Sequence, residues 1–316
     1  MTTERALRIT DAPAITGILA AIEQADPVDE AFSVQDIVEE LGAPGIDLER
    51  GSIGVFDRDQ LVGFGWLQIG APAELWKATT WGGVHPTQMG RGIGRRILSE
   101  LAADATRIRD ADARGRPGRF QVWVEGNRPR TAALVAAAGL PTLRYYLRMQ
   151  RDLRDPVPPP TAPPGVRIRQ YRASDEEAVR SVSNAAFADH WGSTPVDLDR
   201  WRAEYTDASW FRPNLSHVAL IDDQLVSFVL VAEYDAETAM RGYPTGYLAR
   251  VGTLRSARGR FIASSLVGAT LHGLAAAGYR CADLGVDAES LTGAGRIYER
   301  VGFVTTARDR LVGRDF

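Results

Sequence analysis

The densest concentration of usable chemistry lies in Trp81-Gly82-Gly83-Val84-His85-Pro86-Thr87-Gln88-Met89-Gly90-Arg91-Gly92-Ile93-Gly94-Arg95. Closely spaced glycines let successive backbone N–H groups point into one concavity with no Cβ in the way. Ile93, Ile97, Leu98 and Leu101 follow at helical spacing, so the loop opens a helix. The first amides of that helix lack intrahelical partners and carry the positive end of its dipole. The combination suits an anion such as a pyrophosphate; a glycine turn between strand and helix reads equally well from the loop alone. The dinucleotide fingerprint is excluded because Arg95 stands where its third glycine belongs, and the P-loop because Gly-Lys-Ser/Thr is absent.

The elements that must position this loop occur twice. In the first half a short strand at 6–11 precedes a helix at about 13–25, with Asp11 as its expected N-cap, and a second helix at 33–41. Strands at 52–56 and 61–69 form a hairpin, a strand at 77–84 enters the loop, and a helix runs to about 113. A strand at 120–125, a helix at 131–138 and a closing strand at 143–151 follow. After Asp155-Pro156-Val157-Pro158-Pro159-Pro160-Thr161-Ala162-Pro163-Pro164-Gly165, a stiff extended linker, the same order begins again at Val166. The second glycine-loop counterpart is Arg258-Gly259-Arg260-Phe261-Ile262-Ala263. Ser290 lies twelve residues before Gly302, as Asn127 lies twelve before Gly139, so Val135 is the counterpart of Tyr298. The expected domains are 1–153 and 166–316, joined by the linker at 154–165.

Composition narrows the function classes. A net charge of −3 over 316 residues gives no general attraction to nucleic acid or anionic membrane, and Lys77 is the only lysine. One cysteine, Cys281, allows no internal disulfide, and its apolar setting points to a structural role. His85, His190, His217 and His272 show no metal-ligand spacing, and no stretch is long enough to span a bilayer; the cytoplasm is the expected location.

Met89-Gly90-Arg91-Gly92-Ile93-Gly94 resembles the acetyl-CoA loop [Gln/Arg]-x-x-Gly-x-[Gly/Ala] of the GCN5-related N-acetyltransferases (GNAT), with Met89 departing from the usual polar first residue. Tyr298-Glu299-Arg300-Val301-Gly302-Phe303 is similar to the family's Tyr-Glu-x-x-Gly-Phe ending. The resemblance covers nearly the whole chain and follows the layout of actinobacterial two-domain members of mycothiol-synthase type. It implies an α/β fold of two tandem domains, each a mostly antiparallel central sheet flanked by helices. It also implies acetyl-CoA as co-substrate, no metal, and direct attack of a small-molecule amine on the thioester.

Carried onto this sequence, the resemblance assigns acetyl-CoA to Gly83, Val84, Met89, Gly90, Arg91, Gly92, Ile93, Gly94, Arg95 and Asn127. Tyr298 is the expected general acid of the second half, Glu74 and Glu125 are candidate bases at strand ends, and Tyr145 and Tyr146 are lesser candidates for protonating the thiolate in the first half. Acceptor contacts are expected from Asp26, Asp29 and Glu30 in the first half and Asp189, His190 and Trp191 in the second. The first half keeps the loop and Asn127 but has Val135 in the tyrosine position. The second keeps Tyr298 and Arg258 but has Phe261 for a glycine and Ser290 for asparagine. The first is therefore the expected main acetyl-CoA site. Tyr247 stands where mycothiol-synthase-type members carry a catalytic glutamate, which argues against that particular reaction. A non-catalytic acyl-CoA-binding protein and a protein or peptide acetyltransferase are the alternatives; the chain is expected to be a monomer or homodimer.

Overall fold

A computed structural model describes residues 2–71, 73–126, 128–290 and 293–316. In chain order the first elements are β1 (Thr2–Arg5), α1 (Ala12–Ala25), α2 (Val34–Leu41), α3 (Leu48–Gly51), β2 (Ser52–Asp57), β3 (Gln60–Ile69) and β4 (Trp76–Val84). Next come α4 (Ile93–Asp112), β5 (Gly118–Val124), α5 (Pro129–Ala137), β6 (Thr142–Asp152), β7 (Arg167–Gln170), α6 (Glu176–Ala186), α7 (Leu198–Trp201), β8 (His217–Ile221) and β9 (Gln224–Ala232). The chain ends with α8 (Asp235–Arg241), β10 (Thr245–Thr253), α9 (Ile262–Ala276), β11 (Cys281–Asp287), α10 (Ala294–Arg300) and β12 (Val304–Asp315).

The chain forms two compact units, Met1–Tyr145 with Asp309–Phe316 (unit 1), and Tyr146–Arg308 (unit 2). Unit 1 has the sheet order β1-β2-β3-β4-β5-β12, antiparallel except for the parallel β4–β5 pair. Unit 2 has the order β6-β11-β10-β9-β8-β7, antiparallel except for the parallel β10–β11 pair. Each is the mixed, mostly antiparallel sheet with flanking helices expected from the sequence. The closing strands are exchanged: β6 runs into unit 2, where Tyr146–Asp152 pairs with β11, and Arg310–Asp315 of β12 pairs with β5 in unit 1. The chain thus passes between units inside β6 and inside β12.

Each sheet carries apolar side chains on both faces. In unit 1, α4 contributes Ile93, Ile97, Leu98, Leu101, Ala105 and Ile108 to one core, while α1 and α2 contribute Ile15, Ile18, Ile22, Ile37 and Leu41 to the other. Full burial of each larger side chain stabilises by about 1.5–3 kcal/mol. Gly63 and Gly65 of β3 let α4 approach closely; a Cβ on either would meet Ile93 or Ile97 at 2.8 Å. Unit 2 repeats this with α9 against one face and α6 and α7 against the other.

The chain start departs from expectation. The first strand is Thr2–Arg5 rather than 6–11, and Asp11 makes no side-chain cap to α1, which has Pro13 in its first turn. Its carboxylate instead takes both Arg5 guanidinium nitrogens at 2.8 Å and the Arg8 N–H, and chiefly the Arg5 bond holds it below the usual carboxylate range. Unit 2 repeats this staple with Arg169, Asp175 and the Arg172 N–H.

Candidate active site

In unit 1, β4 and β5 pair from Trp76↔Gly118 to Thr80↔Val122 and then part. β4 stays on β3 as far as Val84↔Gly63, while β5 stays on β12 as far as Val124↔Arg310. The bonds His85 N–H to Val62 O and Gly70 N–H to Lys77 O fix the phase: odd residues of β4 bond to β3. Gly82 and Val84 therefore turn their backbone groups to the opening, whereas Gly83, expected from sequence to do so, is paired into the sheet.

The opening leads into the glycine loop. A 3-10 turn over Pro86–Gln88 is followed by Gly90 (φ 78°) and Gly92 (φ 82°), and α4 begins at Ile93. Among the described residues no acceptor meets the N–H groups of Gly90 to Arg95; the first bonded amide is Arg96, on Gly92 O. A side chain at Gly90 or Gly92 would meet no protein atom within 4 Å, so packing does not explain these glycines. Arg130 of α5 lies 2.8 Å from Met89 Sδ and makes no ion pair among the described residues, so a guanidinium stands beside the atypical first loop residue. Unpaired amides, open space and this cation fit a pyrophosphate. Asn127 lies outside the described residues.

The two candidate bases of the first half are separated. Glu125 follows β5 at the loop end of the sheet, but it is paired with Arg128 at 3.0 Å, which also meets Glu23 of α1 at 3.3 Å. The other Glu23 oxygen accepts from the N–H groups of Val28 and Asp29, so these residues clamp the end of α1 near the sheet. Glu74 precedes β4 and is exposed, about nine residues and roughly 30 Å of strand from the loop, so it is not brought to the cradle. Val135 is buried in the α4-side core.

Unit 2 builds the same arrangement with different parts. β10 and β11 pair only from Thr245↔Cys281 to Tyr247↔Asp283. A register shift between Leu248 and Arg250 makes Ala249 a bulge residue; β10 then continues on β9 to Thr253↔Ser227 and β11 on β6 to Asp287↔Tyr146. The opening is longer than in unit 1, and the bulge leaves backbone groups out of the ladder. Beyond a 3-10 turn at Arg255–Ala257 come Gly259 (φ 77°) and Phe261, which keeps the left-handed conformation (φ 59°) at the cost of about 1 kcal/mol or more. The residue is 68% exposed, so the replacement for glycine projects outward. The N–H groups of Gly259 to Ser264 meet no acceptor among the described residues, as in unit 1. Arg258, the polar loop residue, is held by Asp189 at 2.9 Å and Ala186 O at 2.7 Å.

At the end of β11, Asp287 is buried, its side chain 2% exposed, and its Oδ2 lies 3.6 Å from Nε2 of the half-buried His190. His190 Nδ1 lies 3.2 Å from Trp191 O, which can only accept, so Nδ1 carries a proton and Nε2 is the nitrogen that faces the carboxylate. Sequence spacing offers no signal for this pair, whose members lie 97 positions apart in the chain. Tyr298 of α10 is buried against Phe303 (centroids 5.9 Å), and burial, then the nearby Tyr247, push its phenol well above the usual range. Tyr146 sits opposite Asp287 in register. Cys281 is buried, and burial raises its thiol, in keeping with a structural role. Among the described residues no three His, Cys, Asp or Glu side chains group as metal ligands, and no helix is long and apolar enough to cross a membrane.

The model of the acetyltransferase (GNAT) family matches residues 177–303. The mycothiol acetyltransferase of Thermobispora bispora is 33% identical over 82% of each chain, and that of Streptomyces scabiei is 32% identical over 96% of this chain and 94% of its own. Among solved structures, a GCN5-related N-acetyltransferase from Sphaerobacter thermophilus superimposes with a TM-score of 0.74 at 26% identity, covering 99% of this chain and 95% of its own. A tandem GNAT protein from the clavulanic acid biosynthesis pathway shares the fold (TM-score 0.75, 17% identity, covering 100% and 98%). The parted strands, the amide cradles and these likenesses agree, and the chain belongs to the GNAT family of N-acetyltransferases, in its tandem form.

Proposed function

We propose that the protein moves the acetyl group of acetyl-CoA to a primary amine of a small molecule, with the chemistry in unit 2. The observation that carries this reading is the shared location of the bulged opening, the amide cradle and the His190–Asp287 pair at one end of the unit 2 sheet. Acetyl-CoA supplies a thioester whose carbonyl carbon accepts the nucleophile. The N–H groups of Gly259 to Ser264 hold the pyrophosphate. An ammonium docks beside the His190–Asp287 pair and gives a proton to Nε2, and the free amine forms the new N–C bond as the C–S bond breaks. Backbone donors freed at the β10 bulge face the developing oxyanion; the Tyr298 hydroxyl donates to the departing thiolate, and the second proton, shed by the new amide nitrogen and carried by solvent, restores that hydroxyl.

Unit 1 is read as a second acyl-CoA site without chemistry, built from Val84 with Gly82, Met89 to Arg95 and Arg130. The tyrosine position there is a buried valine, and Glu125 is already neutralised by Arg128. The test is thiol release from acetyl-CoA over a panel of primary amines and N-terminal peptides. Small amines are expected to turn over, and His190→Gln and Asp287→Asn to lower kcat by about a hundredfold or more. Full activity in both variants, or turnover of peptides alone, contradicts this reading.

A further inference from the structure

We propose that the acceptor carries a carboxylate as well as its amine, and that Arg250 reads it; this rests on the reading of unit 2 as the catalytic unit. The bulge in β10 re-aims Arg250. Leu248 packs in the core shared with α9, while Arg250, two residues on and past the extra residue, lies against α6. Its Nε donates to Ser183 Oγ at 2.7 Å and its Nη1 to the Tyr205 hydroxyl at 2.8 Å. Its Cζ stands 4.2 Å from the centre of the Phe187 ring and 5.3 Å from that of Tyr205. Among the described residues no carboxylate pairs with it.

A permanently charged, half-buried guanidinium without a counter-ion costs stability that hydroxyls and rings offset only in part. One N–H on Nη1 and both on Nη2 remain, side by side, in the geometry that grips a carboxylate through two parallel bonds. The Tyr205 hydroxyl accepts from Arg250 and keeps its own proton to donate to the same anion. The opposite end of this subsite is the amine site: the Phe187 ring that stacks on Arg250 also meets the His190 ring edge-on, at 5.6 Å between centroids. Cation and base therefore flank one phenyl ring, within reach of a single small molecule of amino-acid type. Half-buried Tyr205, Trp210, Tyr234 and Tyr247 continue from there as neighbouring rings, 5.9–6.3 Å apart, against which an apolar body can lie.

The experiment is a calorimetric titration of N-acetyl amino acids, their C-terminal amides and the matching phosphonates, with the wild type, Arg250→Met and Arg250→Lys. The acid is expected to bind about tenfold or more tightly than its amide, with the ratio falling towards one in Arg250→Met and partly kept in Arg250→Lys. Equal binding of acid and amide by the wild type overturns the inference, and needs no variant to fold. A preference that survives Arg250→Met, or a phosphonate bound above the acid, overturns it as well. Thiol release separates this from the catalytic reading. An acid preference without turnover of any amine keeps the anion site and removes the chemistry from unit 2; turnover without the preference does the reverse.

Discussion

Tyr298 is a phenol that burial keeps protonated, because its charged form would sit in the core beside Phe303 and near Tyr247. A group in that state does not act as a base at neutral pH, but it remains a donor to a thiolate. Tyr298→Phe removes one oxygen and leaves the ring packing, so the fold is expected to survive. With acetyl-CoA, kcat is expected to fall about tenfold to a hundredfold. With an acetyl thioester of an acidic aryl thiol, which leaves without a proton, the loss is expected to shrink; an equal loss with both donors assigns Tyr298 to packing. Tyr298 stands out in the sequence because it sits in a contiguous ending. Arg128, Arg130, Arg250 and the His190–Asp287 pair do not, since each acquires its setting from a residue that only the fold brings near. Glu74 shows the same limit: the end of a strand is visible in sequence, but the end of the sheet to which it belongs is not.

The two openings show which properties of an element its sequence carries. The glycine loop is local, and its left-handed positions at Gly90 and Gly92 follow from residue type. Phe261 adopts the same backbone without that licence, so the second cradle is legible only from the repeat. The bulge at Ala249 depends on how β10 pairs with β9, which no residue type announces.

At the start of β8, His217 is buried, with Nδ1 at 3.0 Å from Leu215 O and 3.2 Å from Thr270 Oγ1. Burial lowers its pKa below the usual 6.5, outweighing the Leu215 bond. The unfolded chain therefore takes up this proton at a higher pH than the native one. The stability associated with the neutral ring is fully present above about pH 6.5 and is lost as pH falls towards the folded pKa, by at most about 1.4 kcal/mol per pH unit. The melting temperature is expected to drop between pH 6.5 and 5 more steeply in wild type than in His217→Gln. Identical slopes would contradict this.

The internal repeat predicts the order of elements in both halves but not their sharing. β6 and β12 have the pattern of a closing strand, and that pattern is indifferent to which parallel strand, β5 or β11, completes the ladder. The result is that residues 309–316 belong to unit 1 and residues 146–153 to unit 2, on the far side of the proline-rich linker from where the repeat alone assigns them. Both halves of the sequence are needed for either unit to be complete.

A division of labour between two cradles of one geometry is addressed by a matched pair of substitutions. Gly90 and Gly259 have φ of 78° and 77°, and neither has a protein atom within 4 Å of where a side chain would begin. Gly90→Trp and Gly259→Trp therefore place the same bulk over the same amides in each unit. The measurement is thiol release from acetyl-CoA by both variants, with calorimetric acetyl-CoA stoichiometry beside it. Gly259→Trp is expected to lower kcat/KM by about a hundredfold or more, with a far smaller effect for Gly90→Trp, and each to remove one of two binding events. A collapse of turnover in Gly90→Trp with turnover kept in Gly259→Trp would put the chemistry in unit 1 and contradict this division.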